Sequence, residues 1–394
     1  MTMKVPPIWL LAAVMLISSA RAADKFSVMV THDSAASRPA ETIVIPFSEV
    51  RRQIPDVLFD HVVVRDVSGK ILPTQPTNFD PDNREAKYDD LIFQHDFKAG
   101  EKLATFIIEK TTLPVPPFAA KVFARYVPER LDDFAWENDR VAHRMYGPGL
   151  DTPLAGKSRM ISSGIDVWCK RVRYPIVDRW YLKGHDAYHT DTGEGLDLYD
   201  VGSARGCGGL GVWDGAKLYT SSNYKSWKVL ANGPIRAVFE LTYDSWDAAG
   251  VKVTEVKRFT VDAGHNLDRI ESTFTFEGKA QLQVGIGISK HKTAGNLTKN
   301  ENDNWFSYWE DFEKDGRLGT GVLLVQGPFT GFAEDDANNL ILANVESGKT
   351  LVYYAGAGWE RSVDFASQED WNAYLGAQAA RLKSPIRVVY PKEP

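Results

Sequence analysis

The stretch AVFELTYDSWDAAGVKVTEVKRFTVDAGHNLDRIESTFTFE, Ala237 to Glu277, decides the fold class. Apolar and polar residues alternate through AVFELTYD, KVTEVKRFTV and LDRIESTFTFE, and the turn cluster VDAGHN separates the last two runs. A period of two sends successive side chains to opposite faces, so each run buries one face and wets the other, as antiparallel strands in hairpins do. The same texture extends outward. FSVMVTH, ETIVIPF, HVVVRDV and LATFIIE lie on the N-terminal side, and LQVGIGIS, GVLLVQG, TLVYYAGAGW and PIRVVY on the C-terminal side. DVSGK, KAGEK and VESGK supply further turns. Only SQEDWNAYLGAQAARLKS reads as a good helix: Ser367 caps it, Glu369 and Asp370 sit in the first turn, and Arg381 and Lys383 in the last. The expected architecture is all-β, with two sheets burying their inner faces against each other.

The N-terminus predicts export. Lys4, the apolar run IWLLAAVMLI and the small-x-small site Ala20-Arg21-Ala22 follow the order of a signal peptide over residues 1–22. That run falls short of the about 20 apolar residues a bilayer-spanning helix needs, and no later segment is a candidate. A soluble periplasmic or secreted protein is expected, without a membrane span. Residues 23–112, closing on the proline-rich TTLPVPPF, read as a smaller β-sandwich leading into a main domain over 113–394. The net charge of -6 gives no polycationic footprint for nucleic acid. Cys169 and Cys207 either form one disulfide or stay as separate buried thiols. No motif specifies an oligomeric state.

Three stretches concentrate chemistry. In WENDRVAHRMYGPGL, Glu137, Asn138, Arg140, Arg144 and Tyr146 form a polar set amid apolar strands; arginine's planar fork suits a bidentate grip on a carboxylate, and the alternative is a set of internal salt bridges. The second, KGHDAYHTDTGEGLDLYDVGSARGCGGLG, reads as a loop. His185 and His189 flank Tyr188 and offer a base and a phenolic acid, while Asp191, Glu194 and Asp197 are candidate ligands for a calcium ion or orienting groups for the histidines. Its GCGGLG matches a dinucleotide fingerprint but leads into strand-like VWDGAKLYTS, not a helix, so its glycines serve tight turns or close backbone approach. In the third, Lys290 and His291 emerge where the strand LQVGIGIS ends, with Trp305 soon after; Trp359 beside Arg361 repeats the theme of an aromatic next to a cation. Such pairs suit pyranose rings, unless these aromatics fill the core.

WENDRVAHRMYGP, YHTDTGEGLDLYDVGSARGCGGLG and GIGISKH together resemble the exported bacterial domain-of-unknown-function family 4861, which is similar to the galactose-mutarotase group. The resemblance covers nearly the whole mature chain. It implies a large antiparallel β-supersandwich and a place among proteins that break down uronate-containing polysaccharides such as pectin or ulvan. Fold alone does not choose a reaction.

The residues favour β-elimination, by a lyase or dehydratase, on a uronate-containing oligosaccharide. That chemistry needs a group to neutralise the carboxylate, a base for the C5 proton and an acid for the leaving oxygen. Arg140 and Arg144 suit the first task, His189 the second and Tyr188 or Tyr146 the third, with Lys290 and His291 as substitutes. Asn138, Glu137, His185, Trp305, Trp359 and Arg361 are expected to hold substrate. No cofactor is required, and Ca2+ is the one ion the acids suggest. A mutarotase or epimerase, a glycoside hydrolase with paired carboxylates and a non-catalytic oligosaccharide-binding protein are the alternatives.

Overall fold

The computed structural model describes residues 24–80, 82 and 88–390; the expected signal peptide lies outside the described residues. The deciding stretch forms the strands Arg236–Ala248, Val251–Asp262 and Leu267–Phe276, paired antiparallel in the registers its alternation requires. They belong to an eight-stranded sheet completed by Ser226–Ala231 on one side and by Thr350–Trp359, Arg317–Gln326, Trp305–Asp311 and Asn296–Asn300 on the other. A five-stranded sheet centred on Leu282–Ser289 faces it, and Phe239, Phe259, Ile286, Ile341 and Tyr353 share one core between the two. This is the all-β sandwich expected, and the helix Gln368–Lys383 closes one end with Ser367 accepting from the Asp370 N–H.

The N-terminal segment builds a five-stranded and a three-stranded sheet around Val28, Ile43, Phe93 and Phe106. No strand or helix lies between Lys110 and Phe123, where the proline-rich connector runs. The last strand, Arg387–Val389, returns to pair with Lys25–Thr31 in the first sheet.

A further sheet positions the chemistry. Its order is Gly195–Asp197, Ile165–Lys170, Val141–Met145, Asp133–Glu137, Phe123–Val127. One face sends Phe134, Trp136, Met145 and Ile165 into the main core. The other carries Ala135, Ala142 and Trp168, covered by Val177, Trp180 and Tyr188 from the helices Val177–Lys183 and His185–Tyr188. Those helices correct the reading of this stretch as a loop. Val177 and Trp180, three apart, both turn inward, and the Glu137 carboxylate accepts from the N–H groups of Ile176 and Val177 at the helix start. The glycine motif does serve close approach: a Cβ at Gly206 (φ 61°) would lie 2.0 Å from the Ile165 carbonyl oxygen.

Candidate functional site

Strand alternation sends Asp133, Arg144, Asp166 and Asp197 to the covered face of the small sheet, with Arg144 directly opposite Asp166 and Trp168 opposite Asp197. Arg144 Nη2 donates to Asp166 at 2.5 Å and Asp197 at 3.1 Å, and its Nε lies 3.9 Å from Asp133. The rings of Tyr146 and Trp168 flank the guanidinium, each 5.2 Å from it. Burial works against the charge on Arg144, but Asp166, Tyr146 and Asp197 together outweigh it and raise the guanidinium pKa. Three carboxylates crowd this one cation away from water. Burial pushes Asp133 up to about 7, and burial followed by repulsion from Asp166 holds Asp197 well above the usual carboxylate range. Burial thus biases Asp197 towards its protonated form.

His189 stands at the exposed edge of this cluster. Its Nδ1 lies 2.8 Å from the His185 carbonyl oxygen, which can only accept, so Nδ1 carries a proton, and in the neutral ring the lone pair is on Nε2. Nε2 is 3.4 Å from Asp197 Oδ2. A base open to solvent thus sits beside a buried acid, with Tyr188 OH within 3.5 Å of Arg144 behind them. These are the sequence-predicted residues the fold brings together: His185, Tyr188, His189, Arg144, Tyr146 and Asp197.

A pocket of about 640 Å³ is lined by Leu198, Asp200, Ser203, Lys290, His291 and Lys292 among others, and by none of the six residues just named. Asp197 and Asp200 are three residues apart, so their Cα atoms are at most about 11 Å from each other. His291 Nδ1 lies 2.9 Å from the buried Glu310 carboxylate and Nε2 lies 2.9 Å from the Asp200 carbonyl oxygen. Both acceptors call for an N–H, which makes the ring an imidazolium. Burial opposes that charge, and Glu310's hydrogen bond and charge outweigh it, so the His291 pKa is raised. Lys290 is tied to Glu334 and the Asp335 carbonyl at 2.8 Å, whereas Lys292 has no carboxylate partner among the described residues.

Several expectations are corrected. Arg140 pairs with Asp364, which Arg173 also grips, and Arg144 is fully engaged by aspartates, so neither offers a free fork to a substrate carboxylate. Glu137 pairs with the buried Lys170 at 2.6 Å as well as capping the helix Val177–Lys183, and the Asn138 side chain bonds only backbone: it accepts from Arg140 and Val141 and donates to Asp262 and His265. These are structural roles. Trp305 packs against Trp371 and Leu375 in the core. Trp359 is buried too, with the guanidiniums of Arg171 and Arg361 over its ring at 5.5 and 6.0 Å, so neither indole has a face open to a sugar. Arg361 bonds the Lys314 carbonyl. The three candidate calcium ligands do not gather at one point. Asp191 pairs with Arg171, Asp197 with Arg144, and Glu194, held at about 2, against burial, by hydrogen bonds led by Lys183, accepts also from Tyr174, Arg179 and Trp180. No group of three His, Cys, Asp or Glu side chains among the described residues is arranged to hold a metal. Cys169 and Cys207 are separate buried thiols.

Asp133, Asp166, Lys170 and Glu310 are the site residues that sequence reasoning missed. The signal was present: DFAWE and IDVWCK place a charge at each end of an apolar strand, two steps from the centre and on one face.

The profile of a family described as "Domain of unknown function (DUF4861)" matches residues 30–388. "Uncharacterized protein P7" of Formosa agariphila is 32% identical over 396 residues, covering 97% of this chain and 98% of that protein. Among solved structures, a protein in glycosyl hydrolase family 38 from Enterococcus faecalis superposes with a TM-score of 0.50 at 10% identity, over 94% of this chain and 48% of that one. This chain therefore spans about half the length of that structure, and the likeness is one of fold, in keeping with a galactose-mutarotase-like sandwich. No helix among the described residues is long and apolar enough to cross a membrane.

Proposed function

The chain belongs to the DUF4861 family, and we propose that it is a carbohydrate-active enzyme that cleaves uronate-containing oligosaccharides, of pectin or ulvan type, by β-elimination. The observations that carry this reading are a cationic pocket and a base on neighbouring stretches of chain. His291 and the unpaired Lys292 line the pocket, and His189 Nε2 stands 3.4 Å from Asp197, three residues before the pocket-lining Asp200.

In this reading the uronate carboxylate lies against His291 and Lys292, which take the neutralising task the sequence assigned to Arg140 and Arg144. Charge stabilisation there, supplied by Lys292 because Glu310 already neutralises His291, lets the C5 proton leave. His189 Nε2 takes that proton. The C5–H electron pair becomes the C4–C5 double bond, the C4–O bond breaks, and the departing oxygen takes the Asp197 proton, with Arg144 stabilising the carboxylate left behind. The aspartate cluster acts as a proton reservoir, since Asp133 and Asp166 are also held above their ordinary range by burial.

The test is absorbance near 235 nm, where the new conjugated double bond absorbs, on a panel of pectic and ulvan-derived oligosaccharides. Wild type should show a rise. His189→Ala should lose about 10²-fold or more in kcat, while Lys292→Met should chiefly raise KM. No rise with any substrate, alongside NMR showing catalysed anomer exchange, would replace this reading with a mutarotase, whose proton transfers the same His189–Asp197 pair could serve.

A further inference from the structure

A second cavity, of about 240 Å³, opens where three parts of the fold meet. The strand Arg38–Pro46 of the N-terminal sandwich brings Arg38, the eight-stranded sheet brings Arg236 and Arg269, and the helix Gln368–Lys383 brings Gln378 and Arg381. We infer that this junction is a binding site for a small hydroxylated monocarboxylate, such as a single sugar acid, which ties the N-terminal sandwich to the main one. The inference does not rest on the reading of the His189 site.

Charge is the first argument. Arg38 Nε donates to Glu41 at 2.8 Å and Arg381 Nη2 to the same oxygen at 2.7 Å. Arg236 grips Asp262 with both arms at 2.6 and 2.7 Å, and Arg269 pairs with Glu271. Four guanidiniums thus line the cavity against three carboxylates, Glu41 and Asp262 in the lining and Glu271 pairing with Arg269 from outside it, and His265, whose pKa is lowered by burial and then by Arg381, adds no charge. One positive charge is left over, which calls for a monoanion. The second argument is independent. Gln378 lines the cavity, is nine-tenths buried, and its Oε1 has no hydrogen-bond partner. A buried amide oxygen left unpaired is costly, and it accepts only from an O–H or N–H. A bare inorganic anion carries no such donor; a hydroxylated carboxylate carries both the charge and the hydroxyl. Size is the third argument. At ~30 Å³ per water the cavity holds about eight waters, room for one ring and not for a chain.

The test is thermal unfolding of the purified Lys292→Met protein, which weakens anion binding in the other pocket, at fixed ionic strength with D-glucuronate, sulfate or D-glucose. Glucuronate at ten times its Kd should raise Tm on the order of 2 °C, and the other two should not. Arg269→Met and, separately, Gln378→Leu should abolish the shift; Arg269 lies at the cavity's outer side, so that variant is expected to fold. Equal shifts with sulfate would reduce the effect to charge screening. A glucuronate shift that survives both substitutions would place binding elsewhere, and no shift at all would leave the cavity to water; each of these three results overturns the inference. Loss of activity in His189→Ala with this shift intact would separate the two sites.

Discussion

Replacing Asp268 by Asn should stabilise the protein, increasingly so as pH rises towards neutrality. Asp268 lies fully buried beneath Trp136, whose Nε1 donates to its Oδ2 at 2.7 Å, and faces His143 Nε2 at 3.7 Å. Burial pushes the carboxyl up to about 7, against the smaller pull of the Trp136 hydrogen bond. An unfolded aspartate has its ordinary value near 3.9. Between these two pH values the folded chain binds one more proton than the unfolded chain, so this group makes stability fall as pH rises, and the loss is complete above the folded value. At about 1.4 kcal/mol per pH unit, the full penalty is about 4 kcal/mol, an upper figure because water reaches most buried sites to some degree. Asparagine keeps an oxygen for Trp136 and carries no charge to bury. His143 works in the opposite sense: burial lowers its pKa to about 4, so it makes stability rise with pH between about 4 and its unfolded value near 6.5. Both proteins contain it, as they do Asp133, so the difference between wild type and variant reports Asp268 together with its coupling to His143. Urea unfolding at pH 5 and pH 8 measures it. The variant's advantage should grow by roughly 2–3 kcal/mol from pH 5 to pH 8, following that penalty. An advantage that stays constant with pH, or a variant less stable at pH 8 than at pH 5 relative to wild type, would refute the reasoning.

Two further substitutions probe the sites. Arg144→Met removes the cation from among Asp133, Asp166 and Asp197, and unfolding at pH 7 should show a loss of about 3–5 kcal/mol, shrinking as pH falls and the carboxyls protonate; a loss below about 1 kcal/mol would mean the cluster is already neutral without the arginine. Glu310→Gln removes the charge that holds His291 protonated, so burial should prevail and NMR titration should find the His291 pKa moved down from its raised value, with weaker binding of uronate oligosaccharides at neutral pH; an unmoved pKa would mean another group supports the imidazolium.

The sheets were legible because their cause is local. In Val251–Asp262, Val253, Phe259 and Val261 turn inward and Lys252, Thr254 and Arg258 outward, which fixes strand and face, although the buried pair Glu255–Lys257 and the exposed Val256 break the pattern at its middle. The C-terminal helix was legible for the same reason, since Ser367 and the first-turn acids act within four residues. The helices Val177–Lys183 and His185–Tyr188 were not. Their stability comes from Glu137 at the helix start and from the Trp168 ring they cover, neither of which is near in sequence. The candidate site was half legible. His189, Tyr188 and Arg144 meet as the sequence suggested. Arg140, Trp305 and Trp359 do not, because a residue's type does not say whether Asp364 or a core wall has already claimed it. Asp133 and Asp166 drew no notice as single charges in apolar strands; their meaning appears only when adjacent strands set them around one guanidinium.

The central claim is that a C–O bond breaks by elimination, without water. Mass spectrometry of the products formed from a uronate oligosaccharide in water enriched with a heavy oxygen isotope tests it most directly. Elimination predicts an unsaturated product with no heavy oxygen incorporated, formed at the same rate after treatment with EDTA and lost in His189→Ala. A product that gains the mass of one water and carries the heavy isotope would make the protein a hydrolase and contradict the account.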